Sequence, residues 1–362
     1  MISAALIIMG RLSELNYNDN NEEKIIKGIE WNKNSPKEIL QYAIGALLYA
    51  PADHKTIGAG ICEGKYPNLK NIVFCLEDTI LDKNLENAER SLASTIKMIG
   101  EAVESKKIIE NTLPLIFIRV RNSEQMLRVF EDIKQYENVI TGFALPKFDS
   151  KNKEQYEEAV WKINESASSI KYIMPIIESF SVMDKKTRMK ELYGIKETID
   201  KISDYVLNVR VGGNDFCNLF GLRRGRNDTI YDIAIMKDVL SDIMNIFGKN
   251  YIISAPVWEY FGEENDDRWL KGLKKELKAD KLNGFIGKTV IHPCQLPIVQ
   301  KAYVVENSDY QDALAILNWQ NSTSGVEKGV LSQRMNEIKV HERWATKTIA
   351  LANIYGVKES EV

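Results

Sequence analysis

YIMPIIES (residues 172–179) and YVLNVRVGGNDF (205–216) are two apolar runs separated by a polar, helix-patterned segment, and each closes on a carboxylate, Glu178 in the first and Asp215 in the second. Two parallel strands joined by a helix point the same way, so their C-terminal ends lie together at one edge of the sheet. Both acids therefore face one pocket. A carboxylate that ends a buried strand is costly unless a cation or hydrogen-bond donors meet it, so two of them at one edge suggest a divalent metal.

The same alternation runs outward from this pair. Apolar runs occur at IGALLYA (44–50), NIVFCLED (71–78), LPLIFIRVR (113–121), ITGFALPKF (140–148), YIISAPVWEY (251–260) and GFIGKTVIHP (284–293). Amphipathic segments lie between them at 84–104, 124–137, 153–165, 185–202, 231–247 and 268–281. Eight short strands rich in Val, Ile, Leu and Phe, most followed by a helix, predict a parallel sheet buried on both faces. Closed into a ring, it is a (β/α)₈ TIM barrel of the α/β class. An open doubly wound sheet with a dinucleotide turn is disfavoured, because GAGICEG (58–64) is not preceded by a strand in the required way. The expected organisation is an N-terminal extension over 1–40 with a helix at 36–42, a barrel over 41–305, and a C-terminal segment over 306–362. The pattern after His292 reads as purely helical, with helices at 309–319 and 336–355 that pack outside the barrel or on a neighbouring subunit.

Composition narrows the function. The 362 residues carry a net charge of -3, which gives no support for nucleic-acid binding. The four cysteines (Cys62, Cys75, Cys217, Cys294) are scattered and read as reduced thiols of a cytoplasmic protein. The apolar opening MISAALIIM lacks the basic flank and cleavage site of a signal peptide. No stretch approaches the roughly 20 apolar residues of a membrane span, so a soluble protein is expected.

Sites on such barrels are built at the C-terminal strand ends. Those ends carry His54, Glu77 with Asp78, Arg119 and Arg121, Lys147, Glu178, Asp215, Glu259 and His292, strand by strand. Glu178 and Asp215 suit Mg²⁺, with Mn²⁺ as the alternative, since such hard cations take oxygen ligands and Mg²⁺ commonly uses one or two carboxylates. The three histidines show no zinc-binding spacing. Arg119 and Arg121 are expected on one side of their strand, where one would bind a substrate carboxylate through its planar fork or neutralise Glu77 or Asp78. Alternation directs only one of Glu77 and Asp78 inward; Glu77 is the favoured site acid, and Asp78 is equally readable as a helix cap. Lys147 would stabilise developing negative charge or pair with Glu178. His292 is a general acid or a support for the last strand. GLRRGRND (221–228) places three arginines beside the expected metal, where they would hold a phosphate or polycarboxylate, although such loops are more often solvated surface.

CLEDTI, RVRN, ALPKF, IIES, VGGNDF and IGKTVIHPCQLPIV, in this order on successive strand ends, resemble the motifs of the HpcH/HpaI aldolase and citrate lyase beta-subunit family of Mg²⁺-dependent barrel lyases, over about 47–335. The resemblance implies carbon–carbon bond cleavage or formation on a small carboxylated 2-oxo acid, with a CoA thioester as the alternative substrate, through a metal-stabilised enolate. It implies Glu178 and Asp215 as metal ligands and Arg119, Glu77 and Lys147 as catalytic residues. Substrate contacts would come from Arg119, Asp78, His54, Gly213 and His292, and the assembly would be a homo-oligomer, a trimer or hexamer. Three departures, His54 in place of a strand-end arginine, Ser332 in place of a C-terminal acid and a long connection between Glu178 and Asp215, point to an atypical branch with a different substrate. The other readings are a phosphoenolpyruvate or pyruvate enzyme of the same barrel group, and a catalytically silent subunit.

Overall fold

The computed structural model describes residues 25–262, 267–319 and 324–359. The opening MISAALIIM and most of the expected N-terminal extension lie outside the described residues. The chain divides into two compact units, one spanning Asn32–Val299 and the other combining Met1–Trp31 with Gln300–Val362.

The larger unit holds eight parallel strands: β1 (Ala46–Pro51), β2 (Asn71–Cys75), β3 (Leu115–Arg119), β4 (Gly142–Leu145), β5 (Tyr172–Ile177), β6 (Val209–Val211), β7 (Ile253–Ser254) and β8 (Lys288–Val290). Each pairs with its sequence neighbours, and β8 returns to pair with β1 through Ala46, Leu47 and Leu48. A bridge from Ala255 to Lys288, with the Ala255 N–H donating to Gly287 O at 2.9 Å, joins β7 to β8 and completes the ring. This is the expected TIM barrel. Its strands are buried on both faces: Ile72, Val73, Ile116, Phe117, Ile118 and Phe143 are all inaccessible. Such residues tolerate a central strand because the β-branched and aromatic side chains pack on both sides of the pleat. At Gly142 a side chain has no room, since a Cβ there would meet Tyr172 O at 1.8 Å.

The outer helices follow from apolar spacing. In Leu85–Glu104, Ala88, Leu92, Ile96 and Ile99 are buried at intervals of three and four residues, the spacing that puts one stripe of a helix on the sheet. The expected strand at 251–260 ends early, at Ser254. Pro256 has no N–H to give the ladder, and beyond it the chain turns so that Trp258 becomes fully buried.

In the smaller unit, helices Asn307–Leu317 and Ile338–Tyr355 pack on each other through Ala313, Ile316 and Ala345. The expectation of a purely helical C-terminal segment is corrected here. Val326–Lys328 and Met335–Glu337 form an antiparallel hairpin, and Val357–Lys358 pairs with Ile25–Ile26. Val326–Lys328 is exposed throughout, so it shows none of the in–out alternation by which a strand is read. The hairpin turn is tied down instead by Asp312, which accepts from Val330 N–H and Arg334. Ser332 sits in that turn with φ of 54°.

Candidate active site

Six of the expected site residues meet at the C-terminal mouth of the barrel. Glu77 and Asp78 follow β2, Arg119 ends β3, Lys147 follows β4, Glu178 follows β5, and Asp215 lies in the first turn of the short helix Gly213–Asn218 after β6.

Four of the six form a closed ion cluster. Arg119 Nη2 lies 3.2 Å from Glu77 Oε2 and 3.5 Å from Asp78 Oδ2. Lys147 Nζ lies 2.5 Å from Glu77 Oε1 and 3.3 Å from Asp78 Oδ1. Both acids reach the same two cations, which corrects the expectation that only one would turn inward. Strand alternation stops at Cys75, and the acids sit in the turn beyond it, where the Asp78 N–H donates back to Glu77 Oε2 at 2.9 Å. Asp78 is therefore not a helix cap. Burial, followed by the hydrogen bond with Asp78, holds the Glu77 carboxyl above the usual carboxylate range.

Lys147 departs from its expected pairing with Glu178. Its ammonium goes to Glu77 and Asp78, while its backbone N–H donates to Glu178 Oε1 at 2.9 Å. The residue adopts φ of 49°, a left-handed conformation that is rare without a glycine. That strain accompanies an arrangement in which one residue serves both acids.

Glu178 and Asp215 form the second pair. Glu178 is buried, and burial followed by the charge of Asp215 pushes its carboxyl up to about 8. Asp215 is half-buried and also raised, by burial and then by Asp78, and it shares a hydrogen bond with Glu178. The approach depends on Gly212, where a Cβ would lie 2.0 Å from Glu178 Oε2. The ion cluster joins two acids to two cations, whereas these two carboxylates face each other. Among the described residues no group of three or more His, Cys, Asp or Glu is arranged to hold a metal. A site of two carboxylates with water and substrate completing the shell is the arrangement that fits Mg²⁺.

Arg121 lies apart from this mouth chemistry: it donates to Leu76 O at 2.8 Å and to Ile80 O, and pairs with Asp82, holding the loop that carries Glu77 and Asp78. His54 is exposed, and its Nδ1 accepts from Thr56 N–H in its own turn. His292 Nδ1 accepts from Cys294 N–H, and its ring stacks on Phe261 at 4.7 Å. Gly213 is buried against Pro256 at the start of the Asp215 helix.

The arginine-rich loop is not a free anion site. Arg224 is buried, donates to Val257 O, approaches Glu276 at 3.3 Å and lies over the Trp258 ring. Arg223 pairs with Glu259, which removes that strand-end acid from the site as well. Glu276 is the hub of this fully buried network: it also takes Lys288 at 2.8 Å and the Ile230 N–H at 2.8 Å. Lys288 keeps Asp280 at 2.8 Å, so Glu276→Gln leaves Arg224 as the buried cation without its carboxylate and is expected to cost roughly 3 kcal/mol, read from the midpoint of urea unfolding.

Two residues passed over in the sequence belong to the floor of the mouth. Tyr49 on β1 has the Arg119 guanidinium carbon 5.4 Å from its ring centre and that of Arg210 on β6 at 5.8 Å. Arg119 Nε also lies 3.1 Å from Cys75 Sγ. The signal was present: Arg210 is a lone cation in the apolar run YVLNVRV.

Residues 38–357 match the family model described as C-C_Bond_Lyase of the TIM-Barrel fold. No curated protein matches the chain. Among solved structures, the chain is similar to the CitE protein of Mycobacterium tuberculosis in complex with magnesium, acetoacetate and coenzyme A, with 17% identity over 86% of this chain and 99% of that one and a TM-score of 0.56. A second similar structure is the citrate lyase beta subunit of M. tuberculosis complexed with oxaloacetate and magnesium, with 19% identity over 73% of this chain and 98% of that one and a TM-score of 0.48. No helix among the described residues is long and apolar enough to cross a membrane.

Proposed function

The chain belongs to the C–C bond lyase family of the TIM-barrel fold, and from that premise we propose that it is a Mg²⁺-dependent lyase that breaks or forms a carbon–carbon bond in a small carboxylated 2-oxo acid. The observation that carries this reading is the charge arrangement of the mouth. Glu77, Asp78, Arg119 and Lys147 neutralise one another, while Glu178 and Asp215 confront each other with raised pKa values and call for two positive charges. The CitE structure bound to magnesium, acetoacetate and coenzyme A supports a divalent cation and, more broadly, a small oxo-carboxylate ligand.

Glu178 and Asp215 would hold the cation, with Mn²⁺ as the alternative. When bound, it supplies Lewis-acid charge where the oxo acid gains negative charge as the bond breaks. The remaining steps belong to the chain's own groups. Arg119 takes the substrate carboxylate; its contacts with Cys75, Glu77 and Asp78 use Nε and Nη2 and leave Nη1 over. Lys147 Nζ adds positive charge beside it, and Glu77, with its pKa above the usual range, moves a proton at Oε1 or Oε2. Asp78 and Gly213 border the substrate, and His54 and His292 contribute from the rim. A CoA thioester remains the alternative substrate, and a homo-oligomer the proposed assembly.

The test is release of pyruvate from candidate oxo acids with Mg²⁺ and with chelator; activity unchanged in chelator would overturn the reading. Mg²⁺ affinity is also expected to depend on pH. With Glu178 raised to about 8 and Asp215 raised beside it, the metal-free pair holds a proton at neutral pH that the cation must expel. Affinity should therefore rise by up to about tenfold per pH unit toward pH 8 and flatten above it. Titration calorimetry in buffers of different ionisation enthalpy reads the released proton directly.

A further inference from the structure

We propose that Tyr156 is a positioning residue for Glu77: its hydroxyl takes over as hydrogen-bond donor to that carboxylate when Lys147 turns to the substrate. The proposal rests on the lyase reading above and deepens it.

Tyr156 lies in the first turn of the helix Lys153–Ser166, which follows β4, and its place is set by the Lys147 turn. Asn152 joins the two: its Nδ2 donates to Lys147 O at 2.8 Å, and its carbonyl accepts from the Tyr156 N–H at 3.0 Å. The Tyr156 ring stacks on that of Phe148, the residue after Lys147, with centroids 5.8 Å apart and planes 23° apart. Phe148 in turn donates its N–H to Ile176 O on β5 at 3.1 Å. Both rings are inaccessible to solvent. The stack is thus anchored to the residue whose backbone N–H holds Glu178 and whose ammonium holds Glu77.

The hydroxyl has no use in the packing. It is buried, and among the described residues no hydrogen-bond partner meets it. A buried polar group in that state is costly, and a phenylalanine would fill the same space without it. Burial, then the charges of Glu77 and Glu178, raise the hydroxyl above its ordinary range, so it keeps its proton and serves as a donor.

Glu77 supplies the matching deficit. Lys147 Nζ holds Glu77 Oε1 at 2.5 Å, yet the lysine side chain is half-exposed at the mouth while that of Glu77 is buried. An oxo acid bound by Arg119 draws this ammonium toward its own carboxylate. Glu77 is then short of a donor, which a buried carboxylate tolerates poorly. A donor without an acceptor therefore stands beside an acceptor that substrate binding deprives of its donor. The new bond forms only in the filled site, which distinguishes this role from packing.

The experiment compares wild type with Tyr156→Phe, which removes one oxygen and keeps the stack on Phe148. Thermal unfolding is followed without ligand; Mg²⁺ is then titrated alone, and pyruvate and oxaloacetate at saturating Mg²⁺. Tyr156→Phe is expected to melt at or above the wild-type temperature, to bind Mg²⁺ as wild type does, and to bind the oxo acid about tenfold more weakly, the scale of one hydrogen bond to a charged group. Wild type should also show an oxo-acid-induced shift of tyrosine absorption that Tyr156→Phe lacks. The proposal is overturned if Tyr156→Phe melts lower with oxo-acid affinity unchanged, the pattern of a hydroxyl already paired in the resting fold, or if Mg²⁺ and oxo-acid affinities fall together. A wild-type protein that binds no Mg²⁺, or neither oxo acid, would sink the lyase reading and this proposal with it. Equal oxo-acid affinity in wild type and Tyr156→Phe, with Mg²⁺ bound to both, would sink this proposal alone.

Discussion

Glu178→Gln and Asp215→Asn are each expected to lower Mg²⁺-dependent turnover on the order of a thousandfold or more, the scale of removing the main charge stabilisation of a transition state. The metal-free fold should survive both changes. The amides fill the same volume, and Glu178 Oε1 accepts only a neutral N–H from Lys147, an interaction that an amide oxygen reproduces. The sign of the stability change separates this from ordinary damage. A carboxyl whose folded pKa is raised contributes stability that is fully present below its unfolded value and is lost as pH rises through the folded one. For Glu178 that window runs from 4.5 to about 8. Without metal, Glu178→Gln should therefore melt with wild type near the acid end of the window and above it at the alkaline end. With Mg²⁺ added, only the wild type should gain stability. A variant that keeps full turnover, or one that loses stability at alkaline pH, would mean that the pair is not a metal site.

The barrel was legible because each of its strands is a short apolar run followed by a helical stripe, and parallel strands buried on both faces leave that signature in any order of side chains. The smaller unit was not, because Val326–Lys328 and Met335–Glu337 are short and largely exposed, and their turn is held through Val330 and Arg334 by Asp312, 18 residues before Val330. Within the site, the identity of the charged residues could be read at the strand ends, but their pairing could not. Alternation predicts direction only inside a strand; Glu77 and Asp78 lie past Cys75, and Lys147 takes a left-handed turn, so all three point where local geometry sends them. Arg210 shows the converse. It lies within β6, where alternation holds, and it faces the Tyr49 ring on β1.

Arg119→Lys is the second large effect, and it separates the two charge groups of the mouth. Arg119 is committed three ways, through Cys75, through Glu77 with Asp78, and across the Tyr49 ring. Lysine keeps the charge but cannot fork between an acid and a substrate carboxylate at once. Loss of a buried, hydrogen-bonded partner to a charged ligand costs about 2–5 kcal/mol. On that scale kcat/KM should fall on the order of a hundredfold, mostly through KM, because the contact exists in the ground state as well as the transition state. Glu77 retains Lys147 at 2.5 Å, so the acid cluster is not abandoned and the fold should hold. Mg²⁺ affinity should change little, since the charge near Glu178 and Asp215 is conserved. A KM left at the wild-type value would place the substrate carboxylate elsewhere, and Arg119 would then serve only to neutralise the two acids that follow β2.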